Sequence, residues 1–450
     1  MPNKNDIVTL EITDITLEGA GVGKTEEGYV LFVPGTAPGD IIKAKILKTL
    51  ASYGYAKAEE ILTPSPDRIE VDCPVFAKCG GCVFRHISYE KELEIKKNLV
   101  DTQFERIGGL DIRCEGITPS PQSRGYRNKA QFPVGSDENG LYFGFFAQHS
   151  HRIIKCEKCA LHPEFYEQIL AAIKKWGDRY AISAYNEETK KGLLRHVYVR
   201  DGRQSGEIIV CLVATGNTPK TKELISALLA TGLNIVGVVL CINKKEGNEI
   251  LSDNFRVLWG KGYMTDTLCG VEFDISPRSF YQVNHDGAEA LYGIAAEYAC
   301  LTGKETVIDL YCGTGTIGLS MAKKAKKLIG IEIIPDAVKN AAANAARAGI
   351  ENAEFICADA GKAALELAAR GIKPEVIIVD PPRKGLSDDV IAAIADMAPD
   401  RVVMISCNSA TAARDAKKLD EAGYTAVKMR AVDMFARTGH VETVVGFVKK

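Results

Sequence analysis

The sequence predicts a multidomain α/β protein with an N-terminal small β-barrel, a central α+β domain and a C-terminal Rossmann-like doubly wound sheet. Three observations lead there. The chain has 450 residues, too many for one ordinary domain. Residues from Ile7 to about Leu62 read as short apolar alternations broken by glycine, the pattern of a small barrel. From about residue 285 onward, helical and strand patterns alternate regularly, which specifies parallel strands with helices on both faces.

Composition narrows the partners. A formal charge of −2 gives no global basic field, so any nucleic-acid partner must be held by local patches. The N-terminus lacks a basic-then-apolar leader and no apolar stretch approaches membrane-spanning length, so no membrane partner and a cytoplasmic location are expected. Thirteen cysteines, an odd number in a long chain, argue against a disulfide framework and for free thiols, metal ligands or catalysis.

In the barrel, the runs Val8 to Ile12, Gly19 to Gly23, Tyr29 to Val33 and Ile41 to Leu47 supply the strands, and Lys43, Lys45, Lys48 and Lys57 could meet phosphates. Thr63-Pro64-Ser65-Pro66-Asp67 reads as a linker. Cys73, Cys79 and Cys82 follow, with Gly80-Gly81 between the last two, and Cys156 and Cys159 form a later pair. Closely spaced thiols separated by glycine can wrap a soft metal centre. Zinc would use Cys79, Cys82, Cys156 and Cys159; a four-iron cluster would use Cys73, Cys79, Cys82 and one of the later two. Residues 90 to 108 read as a helix whose apolar face carries Leu93, Val100, Phe104 and Ile107, with a solvated polar side and a stop at Gly108-Gly109. Between Arg124 and Phe132 basic and aromatic residues interleave, a pattern that can pair phosphates and stack bases or can be an ordinary exposed strand. Residues 141 to 272 continue rich in strands, with a helix near 218 to 230, and identify no chemistry.

The C-terminal half begins with a helix over 286 to 300 and strand Thr306 to Leu310. Glycine-rich Tyr311-Cys312-Gly313-Thr314-Gly315-Thr316-Ile317-Gly318 comes next, then a helix to about Lys327. Strands at Leu328 to Glu332, Phe355 to Cys357, Val376 to Asp380 and Val402 to Cys407 complete the sheet. Glycines after the first strand let backbone approach a ligand, and an acid ending the next strand, Glu332, can accept from ribose hydroxyls. Gly313, Gly315 and Gly318 also satisfy a dinucleotide fingerprint, so a nicotinamide dehydrogenase must be considered. Asp380-Pro381-Pro382 makes a rigid polar rim that hydride transfer has no use for but that a planar base can lie against. A lone strand-end cysteine is more often core filler, yet Cys407 stands where open parallel sheets collect ligands.

Ser279-Phe280-Tyr281-Gln282-Val283-Asn284, Asp309-Leu310-Tyr311-Cys312-Gly313-Thr314-Gly315-Thr316, Asp380-Pro381-Pro382-Arg383-Lys384-Gly385, Ser406-Cys407-Asn408 and His440-Val441-Glu442, in that order, resemble the RNA 5-methyluridine methyltransferases over essentially the whole chain. The barrel is similar to a TRAM domain, and the cysteine set resembles the iron-sulfur members that modify 23S ribosomal RNA. The resemblance implies S-adenosyl-L-methionine bound at Gln282, Tyr311, Gly313, Glu332, Asp359 and Asp380, with Cys407 as nucleophile and Glu442 as base. It implies a [4Fe-4S] cluster on Cys73, Cys79, Cys82 and Cys159, zinc being the alternative, and a monomer acting on a 23S ribosomal RNA loop. A tRNA uridine is the alternative target, and a non-catalytic RNA-binding protein the alternative class. The implied domains are 1–63; 64–91 with 121–272; and 92–120 with 273–450. Ser409 and Ala436 stand where the family commonly has proline, and Met404-Ile405 replaces Tyr-Val. The expected chemistry is thiolate addition at uracil C6, methylation at C5 and loss of the C5 proton, with a helix capped at Ser409 lowering the thiol pKa.

Overall fold

The computed structural model describes residues 2–148 and 150–450. Ile7–Ile15, Ala20–Lys24, Val30–Pro34, Tyr53–Thr63 and Ile41–Thr49 close, in that spatial order, into a five-stranded barrel. Alternation places Leu10, Ile12, Leu31, Val33, Ile42, Ala44, Ile46 and Ala56 inside it. The strand Tyr53–Thr63 carries no clear apolar alternation because its second half lies exposed. Lys43 pairs with Glu60 on the barrel surface, at 3.1 Å.

Helix Tyr89–Gln103 corrects the expectation for 90 to 108. It ends in a π-turn, Phe104–Gly108, and Ile107 is 45 % exposed, so it does not belong to the apolar face. Nor is the polar side wholly solvated: Glu90, Glu94 and Asn98 are exposed, but two charged residues are not. Glu92 and Lys96 are fully buried, with the Lys96 ammonium 2.7 Å from Glu92 and 2.8 Å from Asp433. The 3.6-residue pattern missed this because part of the polar side meets protein, and the buried charges compensate one another.

The central sheet has seven strands in the order Phe255–Gly260, Ile235–Ile242, Ile208–Ala214, Leu194–Asp201, Lys129–Asp137, Gly140–Phe146 and Ile153–Lys155. Helices Tyr166–Arg179 and Thr221–Leu229 cover one face. From the other face Tyr198, Cys211, Val213 and Val239 enter the same core as Leu291, Val307 and Val403 of the C-terminal half. Wholly buried Arg200 adds a polar tie, donating to the carbonyls of Ser276 and Ser279 at 3.0 and 2.7 Å.

The C-terminal sheet runs Ala353–Cys357, Lys327–Glu332, Thr306–Leu310, Val376–Val379, Arg401–Ser406, Glu442–Lys449, Tyr424–Val432, Ile117–Thr118. The first five strands are parallel, as the alternation predicts. The sheet is nonetheless mixed: Glu442–Lys449 pairs antiparallel with Arg401–Ser406 and with Tyr424–Val432. No helix among the described residues is long and apolar enough to cross a membrane.

Candidate active site

Chain order reverses between Thr306–Leu310 and Val376–Val379. The strands Lys327–Glu332 and Ala353–Cys357 lie to one side, Val376–Val379 and Arg401–Ser406 to the other. A crevice opens outside the carboxyl ends of strands at such a switch point. The loop from Tyr311 and the Asp380-Pro381-Pro382 rim start at its two sides.

The glycine loop is built under strain. Tyr311 has φ 68°, a left-handed conformation that costs a non-glycine residue about 1–3 kcal/mol, and burial raises its phenol to about 12. Gly313 and Gly315, at φ 56° and 85°, turn the chain into helix Thr316–Met321. Gly318 is required for a different reason: a Cβ there would lie 2.8 Å from the Asp309 carboxylate and 3.0 Å from Leu328. Asp309 itself is a supporting residue the sequence reading did not single out. It accepts from the Gly318 N–H at 2.9 Å, its other oxygen has no partner, and burial pushes its carboxyl up to about 8.

Glu332 ends the second strand and accepts from the N–H of Gly313 at 3.1 Å and of Ile334 at 2.9 Å, pinning the loop from the neighbouring strand. Asp359 caps helix Ala360–Ala369, accepting from Lys362 N–H, and raises the Tyr311 phenol electrostatically. Gln282 is held through its carbonyl by Asn128 of the central domain, at 3.0 Å. Its side chain reaches the hydroxyl of Tyr292, which also meets Thr316 at 3.1 Å and feels the charge of Asp380. Buried Tyr292 thus joins Gln282 to the glycine loop; only its helical position was legible in the sequence.

Sheet register brings the reacting candidates together. The ladder ends where Ser406 pairs with Thr443; Cys407 follows that end, Glu442 precedes it on the neighbouring strand, and the Glu442 charge acts on the Cys407 thiol. Burial raises Glu442 to about 8; Asp380 pushes it further up and Arg383 opposes that. Asp380 itself is raised by burial to about 7. The Cys407 thiol is raised as well, first by burial, then by Glu442 and Asp380, with Arg383 pulling the other way.

This corrects the expectation of a thiol lowered by a nearby helix start. The helix is capped by Asn408, not Ser409: the Asn408 side chain accepts from Ala410 and Thr411 N–H, while Ser409 opens the helix proper. Burial and the two nearby acids raise the thiol instead. Arg383, within the rim motif but not expected as a site residue, is the cation acting on both Cys407 and Glu442.

The cysteines Cys73, Cys79, Cys82, Cys156 and Cys159 line one cavity of about 280 Å³, together with Arg85, Arg127 and His162. Burial raises the thiols of Cys79 and Cys82, brings Cys159 to about 11 and Cys156 to about 12, and neighbouring thiols add to each shift. Among the described residues no three His, Cys, Asp or Glu side chains converge closely enough to hold a single ion. The basic-aromatic stretch before the central sheet is drawn into this region. Tyr126 is buried, its hydroxyl donating to the Ala436 carbonyl at 3.0 Å, which removes it from base stacking.

Three comparisons bear on this arrangement. A family model described as tRNA (uracil-5-)-methyltransferase matches residues 88–450, and a TRAM domain model matches residues 3–59. An uncharacterized RNA methyltransferase of Halalkalibacterium halodurans is 43 % identical over 448 residues, covering 98 % of this chain and 97 % of that protein. Another, from Clostridium tetani, is 38 % identical over 98 % of this chain and 96 % of its own length. Among solved structures, Pyrococcus abyssi tRNA (uracil-54, C5)-methyltransferase in complex with S-adenosyl-L-homocysteine superposes with a TM-score of 0.78 at 26 % identity, over 98 % of this chain and all of that one. With its TRAM barrel, mixed methyltransferase sheet and switch-point site, the chain belongs to the RNA uracil-5-methyltransferase family and is an S-adenosylmethionine-dependent enzyme of that class.

Proposed function

We propose that the enzyme methylates uridine C5 through a covalent adduct between Cys407 and uracil C6. The observation that supports this reading most is that Cys407 and Glu442 flank the end of the Ser406–Thr443 ladder, where Glu442 and Asp380 both act electrostatically on the thiol. Uracil C5 is too weak a nucleophile to take a methyl group unaided. Addition of the Cys407 thiolate at C6 makes C5 an enolate carbon, which then accepts the methyl group. S-adenosylmethionine supplies that methyl group on its sulfonium. Glu442 next removes the C5 proton, and the electron pair of that C–H bond expels Cys407 from C6.

Both roles need ionised groups, and Asp380 holds both groups in check through its charge. A protonated Asp380 can donate to a uracil carbonyl oxygen as negative charge develops there, which favours ionisation nearby. Gln282, Tyr311, Gly313, Glu332, Asp359 and Asp380 would hold the methyl donor, with Glu332 exchanging its bond to Gly313 N–H for ribose hydroxyls. Domain limits at 1–63, 64–91 with 121–272, and 92–120 with 273–450 suit this assignment. In particular, Ile117–Thr118 is an edge strand of the catalytic sheet.

The thiols Cys73, Cys79, Cys82 and Cys159 would hold a [4Fe-4S] cluster. A cluster takes thiolates spread around a volume, whereas zinc needs them converged on a point; the support for the former is that these thiols line one shared cavity. Cys156 lines the same cavity and is the competing fourth ligand. The substrate we propose is a loop of 23S ribosomal RNA, bound by a monomer in the cytoplasm; the TRAM barrel and the thiol-lined cavity support the ribosomal target, and a base in a loop is cheapest to turn out of its stack. A tRNA uridine is the second reading, favoured by the whole-length likeness to the Pyrococcus abyssi tRNA enzyme. Mapping 5-methyluridine in 23S ribosomal RNA and tRNA from strains with and without the gene decides between them. Loss confined to tRNA would overturn the ribosomal assignment.

A further inference from the structure

Glu442 closes a hairpin. It pairs with Val432, and residues 433–441 form the connection between the two strands. Segments distant in sequence grip that connection. Its keystone is Arg437, held at φ 70° although it is not glycine. The Arg437 N–H donates to Glu92 at 2.7 Å. Its carbonyl accepts from the N–H groups of Val83 and Phe84 at 2.9 and 3.2 Å, immediately after Cys82. The guanidinium donates to the Ile87 carbonyl at 2.8 Å and lies over the Tyr89 ring.

Neighbouring positions are fixed as firmly. Lys96 spans Asp433 and the Phe435 carbonyl, and the Ala436 carbonyl accepts from Tyr126, which packs with Cys82 and Cys159. At Gly439 the barrel makes a close approach: a Cβ there would sit 1.8 Å from the Leu17 carbonyl oxygen. A left-handed arginine survives only where its surroundings over-determine it, and such strain concentrates beside reacting groups.

We propose that residues 433–441 are a strap through which the cysteine-bearing segment, the barrel and helix Tyr89–Gln103 set the position of Glu442, with Arg437 and Tyr126 as positioning residues for release of the adduct. This rests on the covalent reading above. Cys407 reaches its place from the end of a parallel strand and does not depend on the strap, so the two halves of the reaction should separate. Thiolate addition should survive loosening of the strap; proton removal by Glu442 should not.

The test uses the full-length protein, S-adenosylmethionine and total RNA from a strain lacking the gene. Denaturing gels follow the rates at which the protein–RNA adduct appears and disappears in a single turnover. Arg437→Gly relieves the backbone while freeing the strap, and Tyr126→Phe removes one hydroxyl without changing shape. Both should form the adduct within twofold of the unmodified rate and release it at least tenfold more slowly, so that adduct accumulates. Unchanged release in either folded variant, or addition and release falling in parallel with a lowered melting temperature, would overturn the inference. Glu442→Gln is the control. If it accumulates adduct and the strap variants do not, the strap fails alone; if it accumulates none, the covalent reading fails first.

Discussion

Glu442 should cost the enzyme stability, and Glu442→Gln should recover it. In the folded chain, burial and the nearby Asp380 keep the Glu442 proton up to about 8, against 4.5 for the free side chain. Between those values the folded chain retains a proton that the unfolded chain gives up, so this residue's contribution falls as pH rises from 4.5 and levels off above 8. At 1.36 kcal/mol per pH unit, the span sets a ceiling of roughly 5 kcal/mol, which relaxation and water entry reduce to about 1–3 kcal/mol. Glutamine has the same shape and no charge to bury. Thermal denaturation of Glu442→Gln should therefore match the unmodified protein near pH 4.5 and exceed it by a few degrees at pH 8.5. A variant that melts lower at pH 8.5 would mean that the carboxylate is paired and welcome in the fold, contrary to the burial described.

The same protonation governs rate. Cys407 and Glu442 both act ionised and both are raised, so initial rates should climb between pH 6 and 9; a profile flat across that range would contradict the assignment. Asp309→Asn should bind S-adenosylmethionine within about threefold of normal by calorimetry, since Asp309 holds its proton to about 8 and asparagine still accepts from Gly318 N–H. Gly318→Ala, forced against Asp309 and Leu328, should weaken binding at least tenfold, at a cost of about 1–3 kcal/mol. Anaerobically purified protein should carry iron and sulfide, and Cys79→Ser should lose them; stoichiometric zinc in their place would favour the paired-cysteine site.

Much of the fold was legible because local pattern and tertiary role agreed. The parallel strands followed from continuous apolar runs buried on both faces, the barrel strands from alternation with one face inside, and the glycine loop from its place after a strand. What escaped was set by neighbours far away in sequence. The burial of Glu92 and Lys96 depends on Asp433, 337 residues beyond Lys96, and no helical period reports a partner at that distance. The antiparallel position of Glu442–Lys449 brings Glu442 to the strand end that Cys407 follows; the sequence names both residues but not that neighbourhood. Tyr126 looked like a base-stacking aromatic because its hydroxyl's partner, the Ala436 carbonyl, lies 310 residues away. Arg383 and Tyr292 entered the site in the same way, through contacts that chain order does not reveal.

The central claim is that Cys407 opens the reaction and Glu442 closes it. Incubating the Glu442→Gln and Cys407→Ala variants with S-adenosylmethionine and RNA from a strain lacking the gene, then resolving protein from RNA under denaturing conditions, tests it most directly. Glu442→Gln should accumulate a stable adduct carrying the transferred methyl group, and Cys407→Ala should give neither adduct nor methylated RNA. Methyl transfer by Cys407→Ala would contradict the account.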